Sequence, residues 1–246
     1  MSAWRVVAAA APGATHAERG LGSSDAHRFE PHGNGVALLV ADGLGSAAEA
    51  ALASRMAVAA AAADLRKRGA AGDLTEQRAG AVAAVERAAA ALLALTAQGF
   101  AEDQLGTTLL VCTATSAGIA FAGVGDGFLG VRTTDAHGAG HHLLRLEPPS
   151  PIANETATLL AAAAVPSFAL ADPAVDGLLL ATDGLEAAAI EAPLSGRARL
   201  RAGVADVLLR HGDGATDSLA FQRDLCNPGW DSSSSDDRSV VMAVRT

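Results

Sequence analysis

The chain has 246 residues, of which 50% are hydrophobic and 18% charged, a composition typical of a folded domain and not of a disordered chain. Its formal net charge is −9 and only 3% of its residues are aromatic, so it lacks the basic surface and the exposed rings of a nucleic-acid-binding protein. No linker rich in Pro or Ser divides it, and we predict a single domain, residues 1–246.

The lengths of the apolar runs and the spacing of the cysteines indicate the cellular compartment of the protein. The run from Val6 to Ala11 ends at Pro12 and is too short for the core of a signal peptide, and no stretch approaches the ~18 residues of a membrane span. Cys112 and Cys226 lie far apart and indicate no disulfide framework. We therefore expect a cytoplasmic protein that binds neither membranes nor nucleic acids, and nothing in the sequence specifies its oligomeric state.

The first half of the chain predicts a strand followed by two Ala-rich helices. Residues 33–41 are a short apolar run between turn signals, typical of a buried strand. Residues 46–68 predict a helix capped by Ser46, with Gly69 just past its end. Residues 75–98 predict a second helix, capped by Thr75 and apolar at helical spacing.

The second half changes mainly to strands. Short apolar segments bounded by turns predict strands at 106–115, 118–124, 128–133, 142–146, 177–182 and 239–245. Two further segments, 197–210 and 216–226, have a helical pattern, and the serines at 232–235 predict a loop. Because strands and helices come in blocks and do not alternate, the order favours an α+β fold over a doubly wound parallel sheet.

Acidic residues recur where these strands end. Three predicted strands run directly into an Asp-Gly pair: Asp42-Gly43, Asp126-Gly127 and Asp183-Gly184. Each pair alone is typical of a tight turn, because both residue types tolerate positive φ. Carboxylates gathered at one edge of a packed sheet would instead supply the oxygen ligands that Mg²⁺ or Mn²⁺ prefers. The spacing alone supports the metal site and the coincidence of turns about equally.

The complete succession of motifs resembles the bacterial type 2C, metal-dependent serine/threonine protein phosphatases. The matching motifs follow in the family's order over nearly the whole chain: Asp25, Ala41-Asp42-Gly43-Leu44-Gly45, Gly106-Thr107-Thr108, Gly125-Asp126, Thr182-Asp183-Gly184-Leu185 and Asp236-Asp237-Arg238-Ser239. Two further segments, Gly13-Ala14-Thr15-His16 and Ala153-Asn154-Glu155-Thr156, resemble a compact branch of that family.

The resemblance implies a fold and a ligand set. The fold is a β-sandwich of two antiparallel sheets flanked by pairs of helices, a four-layer αββα arrangement. Two Mn²⁺ or Mg²⁺ ions are implied, with a third, weaker ion at Asp126. The resemblance assigns the other ligands as follows: Asp42 bridges the two ions, Gly43 lends its carbonyl, Asp183 and Asp237 complete the first site, and Asp25 is a ligand or orients one.

The resemblance also implies the reaction. A water activated between the two ions hydrolyses phosphoserine and phosphothreonine monoesters in proteins, so that Asp42, Asp183 and Asp237 are catalytic and no phosphoenzyme forms. The substrates would be proteins phosphorylated by a partner serine/threonine kinase, with this chain as the off-switch of a signalling pair.

Several positions depart from the family pattern and keep alternatives open. Gly20 stands where relatives carry an arginine that holds the substrate phosphate, and Arg19 or Arg28 is the candidate to replace it. Ser24 precedes Asp25 where relatives have an acid or amide, and Leu44 stands where some carry a histidine as general acid. Arg238 takes the place of an asparagine. The alternatives are a catalytically silent module that binds a phosphoprotein, and a phosphatase of small molecules.

Overall fold

Two antiparallel sheets form the centre of the computed structural model, which describes residues 4–69, 73–136, 138–146, 156–171, 174–191, 198–201, 203–204, 210, 218–227 and 234–246. The first sheet contains β1 (Trp4–Ala11), β6 (Phe128–Asp135), β7 (Gly138–Leu144), β9 (Val175–Ala181) and β12 (Arg238–Arg245), in the order β1-β12-β9-β6-β7. The second contains β2 (Ala26–His32), β3 (Gly35–Ala41), β4 (Leu109–Thr115), β5 (Gly118–Val124) and β8 (Ser167–Leu170), in the order β2-β3-β4-β5-β8.

The remaining elements are helical, apart from one small ribbon. The helices are α1 (Ala14–Glu18), α2 (Ala50–Arg68), α3 (Leu74–Thr96), α4 (Glu186–Ala189) and α5 (Ser218–Leu225). Single 3₁₀ turns span Glu102–Leu105 and Asp183–Leu185. The ribbon pairs β10 (Ile190–Glu191) with β11 (Arg199–Leu200).

Alternation along the strands builds the layers. In β3, Leu38 and Val40 face the first sheet and join Leu180 and Val241 in the middle layer, whereas Leu39 faces α2 and α3. Because both faces of β3 are covered, its sequence is an unbroken apolar run, as the sequence predicted. The predicted α+β sandwich is confirmed.

Small residues fill the outer layer above the second sheet, and larger side chains fill the one over the first sheet. Ala57 and Ala61 of α2 meet Ala84 and Ala88 of α3 in the layer above the second sheet, and alanine on both helices lets them lie close together. On the other side, Phe221 and Leu225 of α5 pack with residues of the first sheet such as Val7 and Met242. The core therefore lies in three layers, and the loops at the ends of the strands are left to form a site.

The helix boundaries differ slightly from those predicted. Helix α2 begins at Ala50 and not at 46, because the preceding residues make turns and Glu49 occupies the N-cap without a side-chain bond. Helix α3 is capped by Asp73, whose carboxylate accepts from the Glu76 amide at 2.9 Å, and not by Thr75. Gly69 ends α2 with a φ of 72°, as its sequence position predicted.

Strand pairing overrides the predicted helix of 197–210 at residues 199–200, whereas residues 203, 204 and 210 are helical as predicted. Arg199 and Leu200 form a strand opposite Glu191 and Ile190, and Leu200 packs over Gly130, where a side chain would leave no room. Part of this segment lies outside the described residues, as do 153–155, 216–217 and 232–233 from the other expectations. The prediction of a helix at 199–200 is wrong, while the one at 216–226 is confirmed as α5 where the chain is described.

Strands β1 and β2 were not predicted. Alanine makes up the second half of β1, and the strand is recognisable only from its pairing with β12 along its whole length. Strand β2 contains Pro31, which an edge strand tolerates because one of its sides needs no hydrogen bonds.

Helix α3 is long and apolar enough to span a membrane by length and composition alone, with a mean hydropathy of 1.5 in its most apolar window. The expectation that no stretch approaches this criterion is therefore wrong. The helix buries Ala81, Val85 and Leu92 against α2 and the second sheet, and core helices of folded domains meet the same criterion.

Candidate metal centre

Three strand ends bring three carboxylates together. Asp42 directly follows β3, Asp126 follows β5 by one glycine, and Asp183 lies two residues after β9. Each offers a carboxylate oxygen, and these oxygens all lie within 4.8 Å of one another. The predicted convergence of these residues is therefore present in the fold. We call Asp42, Asp126 and Asp183 the carboxylate cluster.

Backbone hydrogen bonds fix Asp42 in place. Its amide donates to Thr108 Oγ1 at 2.9 Å, and its carbonyl accepts from the Thr108 amide at 2.9 Å and from Thr107 Oγ1 at 2.7 Å. Both polar backbone groups of Asp42 are thus satisfied, so its side chain is held at a defined position. The Thr156 hydroxyl similarly donates to Asp126 Oδ2 at 2.7 Å.

Asp25 is a buried carboxyl beside the cluster. Only 5% of its surface is exposed, and its Oδ2 accepts from Thr182 Oγ1 at 2.7 Å. The same hydroxyl accepts from the Ser239 amide at 2.9 Å. Thr182 therefore ties the segment before β2 to β9 and β12, and this explains why a threonine precedes Asp183.

Burial and mutual repulsion raise the pKa values of these acids. The pKa of Asp25 is about 7, mainly through burial, which its hydrogen bonds from Thr182 and with Asp42 partly offset. The pKa of Asp183 is about 9, through burial and then the charges of Asp42 and Asp126. Burial and the charge of Asp25 also raise the pKa of Asp42 well above its usual value. A cation would reverse these shifts, since it favours the ionised form.

The donor set fits a hard divalent cation. Asp25 Oδ1, Asp126 Oδ1 and Asp183 Oδ1 are buried and have no hydrogen-bond partner among the described residues. A buried polar atom left in this way is costly, and metal coordination is one way to satisfy it. Because the available ligands are all oxygens, the site suits Mg²⁺ or Mn²⁺ better than Zn²⁺.

Asp237 has a different set of contacts. Its Oδ1 accepts from the Gly13 amide at 2.7 Å and its Oδ2 from the Ser24 amide at 2.5 Å, while His16 Nδ1 lies 2.8 Å from each oxygen. The side chain is buried and holds the N-terminal segment against the start of β12. Its predicted place among the metal ligands remains a prediction.

The neighbouring Asp236 was left without a role in the sequence analysis. It is exposed, and its charge contributes to the raised pKa values of Asp42 and Asp183. Both residues precede β12, and Asp236 Oδ1 accepts from the Asp237 amide at 2.9 Å, a contact that the Asp237 carboxylate does not share. In the sequence, the Asp-Asp pair is the feature that predicts one carboxylate facing the cluster.

The Asp-Gly glycines serve close packing. None of Gly43, Gly127 and Gly184 lies in the left-handed region that the tight-turn interpretation required. A Cβ on Gly43 would lie 2.6 Å from the Ser24 carbonyl oxygen, and one on Gly184 would lie 1.9 Å from that of Asp237. The glycines therefore let other backbone segments approach the carboxylates. The expectation of a positive φ is wrong for these residues, although Asp183 and Gly184 do lie in a 3₁₀ turn.

The basic residues expected near the phosphate are dispersed. Arg19 is exposed at the C-cap of α1, and its predicted role in phosphate binding stays a prediction. Arg28 Nε donates to Glu30 Oε1 at 2.6 Å. Arg238 is buried and donates through Nη2 to the Pro12 carbonyl at 3.3 Å.

Comparison with solved structures identifies the fold. The serine/threonine phosphatase of S. agalactiae aligns with a TM-score of 0.66 and 16% identity, covering 98% of this chain and 99% of that chain. The catalytic domain of the serine/threonine protein phosphatase PstP in complex with two manganese ions gives a TM-score of 0.65 at 18% identity, covering 100% of both chains. The Mycobacterium tuberculosis serine/threonine phosphatase PstP/Ppp gives a TM-score of 0.63 at 18% identity, with 99% of each chain covered.

Sequence comparison identifies the family. A search of curated proteins returned no significant match. The family model described as protein phosphatase 2C matches residues 12–220, a span that contains Asp25, the carboxylate cluster and the strands that position it. With this match over most of its length and the same fold in bacterial phosphatases, the chain belongs to the protein phosphatase 2C family.

Proposed function

We propose that this chain is a metal-dependent phosphatase of phosphoserine and phosphothreonine in proteins. The observation that carries the proposal is the carboxylate cluster, whose oxygens lie within 4.8 Å of one another at one end of a protein phosphatase 2C fold. Two Mn²⁺ or Mg²⁺ ions bound there would lower the pKa of a water and offset charge on the phosphoryl oxygens.

The residues of the site divide the work. Asp42 and the Gly43 carbonyl would hold cations at the end of β3, and Asp126 and Asp183 would complete the ligands from the ends of β5 and β9. Asp25 orients Asp42 and is itself held by Thr182. Asp237 belongs to the site either as a metal ligand or through its hydrogen bonds to the N-terminal segment. In the second case Asp236 is the candidate for the ligand role.

The biological setting is part of the proposal. The relatives are named serine/threonine phosphatases, which supports phosphoprotein substrates, a cognate serine/threonine kinase and a role in signalling. Both cysteines are free, Cys112 buried and Cys226 exposed, as expected in a reducing cytoplasm. The middle layer joins both sheets in one core, which supports a single domain.

Metal-dependent hydrolysis tests the proposal. We expect the protein to release phosphate from a phosphothreonine peptide and from an aryl phosphate with Mn²⁺ present, and to lose this activity in EDTA. Asp42→Ala and Asp183→Ala should abolish activity, whereas Asp103→Ala, at an exposed position outside the cluster, should retain it.

The other outcomes identify the alternatives. Mn²⁺ binding without hydrolysis would contradict the proposal in favour of a silent binding module, for which the missing arginine at Gly20 is the supporting observation. Hydrolysis of small phosphate esters with no activity on any phosphopeptide would favour a phosphatase of small molecules.

A further inference from the structure

A cavity of about 330 Å³ lies next to the carboxylate cluster. One wall is formed by Ser23 and Ser24 ahead of β2, and the other by Leu44 and the first turns of α2. The Ser24 carbonyl oxygen lies 2.6 Å from the position of a Cβ on Gly43, so this wall contacts the loop that carries Asp42. The clustered carboxylates do not line the cavity, so it is separate from the reaction centre, and Ser24 connects the two through its contact with Gly43.

The lining of the cavity is mixed: small apolar side chains and polar groups, including one guanidinium, contribute about equally. Ala47, Ala48, Ala50 and Ala51 form much of the α2 side, and Leu21, 52% exposed, stands at the opposite side. A space of this size and lining accommodates side chains of a peptide, and a phosphoryl group alone would leave most of it empty.

Arg55 supplies the positive charge of this lining. Its side chain is exposed, and it makes no ion pair with a described residue. The preceding residue, Ser54, donates from Oγ to the Ser24 carbonyl oxygen at 2.5 Å, which fixes this turn of α2 against the wall. The backbone of α2 at Arg55 is therefore held against this wall, and Arg55 lines the cavity. His16 also lines the cavity, but its Nδ1 is already bonded to Asp237.

We propose that this cavity binds the substrate segment next to the phosphorylated residue, and that Arg55 pairs there with an acidic side chain of that segment. The inference rests on the proposed function and adds a substrate class, phosphoproteins with an acidic residue beside the phosphorylation site. The whole chain carries a net charge of −9 and the cluster adds local negative charge, so an acidic substrate needs a cation at its docking position. A guanidinium binds a carboxylate through paired hydrogen bonds, which gives selectivity over neutral side chains.

Two phosphothreonine peptides that differ only in flanking Glu or Gln residues test this inference. The measured quantity is the ratio of kcat/KM for the acidic peptide to that for the neutral peptide, with Mn²⁺ present. We expect a ratio of about five for the wild type, which corresponds to about 1 kcal/mol. Arg55→Glu should reduce the ratio below one, and Arg55→Lys should retain part of the preference. The matched control is Arg87→Glu, an exposed arginine of α3 that does not line the cavity, and it should keep the wild-type ratio.

Direct binding separates this inference from the proposed function. Fluorescence anisotropy of the same labelled peptides measures affinity without turnover. If the protein hydrolyses neither peptide yet binds the acidic one more tightly, and only Arg55→Glu removes the difference, the docking inference stands while the proposed activity fails. An equal kcat/KM and an equal affinity for the two peptides in the wild type, or an unchanged ratio in Arg55→Glu, would overturn the inference.

Discussion

Replacing Asp183 by Asn removes one negative charge from the carboxylate cluster at almost constant shape, and we expect this change to stabilise the metal-free protein at pH 8. The pKa of Asp183 is raised from 3.8 to about 9, so its folded-state carboxyl keeps a proton that the unfolded chain releases. The folded state then binds more protons than the unfolded state, and stability falls as the pH rises from about 4 towards about 9. Asparagine does not titrate, so the variant does not lose stability in this way.

The magnitude follows from the same values. The unfolded-state pKa of 3.8 lies about four units below pH 8. At 1.36 kcal/mol per unit, protonation of Asp183 can therefore lower the free energy of unfolding by at most ~6 kcal/mol. Asp183 is partly exposed, and its neighbours relax and share the repulsion, so we expect about 2 kcal/mol. For a chain of this length that corresponds to ~4–8 °C in Tm.

Thermal unfolding in EDTA at pH 5 and pH 8 measures the effect. Asp183→Asn should melt above the wild type at pH 8 and show a weaker fall in Tm between the two pH values. Added Mn²⁺ should raise the Tm of the wild type more than that of the variant. Asp103→Asn is the matched control at an exposed carboxyl and should follow the wild type. If Asp183→Asn melted below the wild type at pH 8 without metal, the argument from carboxylate repulsion would be refuted.

Four further substitutions test individual contacts by thermal unfolding and Mn²⁺ titration. Gly184→Ala places a Cβ 1.9 Å from the Asp237 carbonyl oxygen, so we expect a loss of more than ~2 kcal/mol, and an unchanged Tm would contradict the close approach. Thr182→Val removes the hydroxyl that donates to Asp25 and should cost about 1–3 kcal/mol; a neutral effect would show that this bond contributes little. Asp237→Asn should lower stability by a similar amount, because it disturbs hydrogen bonds to the N-terminal segment. Asp236→Asn should weaken Mn²⁺ binding at unchanged Tm. If Asp237→Asn instead weakened Mn²⁺ binding and Asp236→Asn did not, the ligand role would belong to Asp237.

The convergence of the carboxylate cluster was predictable because each acid follows a buried strand. Residues 35–41, 118–124 and 175–181 are apolar throughout or nearly so, and an apolar run that stops at an acid indicates where a strand leaves the core. Neighbouring strands of an antiparallel sheet end at opposite edges, and β3 and β5 end at the same edge because β4 lies antiparallel between them. The family motifs then specified which edge contains the site.

Other features depend on contacts that no local pattern reveals. The Asp-Gly pairs looked like turns, but the requirement for glycine at Gly184 comes from the Asp237 backbone, distant in sequence. The second half of strand β1 is alanine, and only the pairing of the strand with β12 distinguishes it from a helix or a leader-like run. The sequence does not identify Arg55 as a candidate, because its role depends on the cavity that α2 forms with the segment before β2.

The central claim is that the carboxylate cluster binds the divalent cations required for phosphate ester hydrolysis, and calorimetric titration of Mn²⁺ tests it most directly. The metal-free protein and Asp42→Asn should be titrated at one pH, and phosphate release from a phosphothreonine peptide measured on the same samples. We predict that the wild type binds two ions, the number present in the PstP catalytic domain, and hydrolyses the peptide, and that Asp42→Asn loses both properties. Wild-type protein that binds no Mn²⁺, or an Asp42→Asn variant that binds it and hydrolyses the peptide as well as the wild type, would contradict this account.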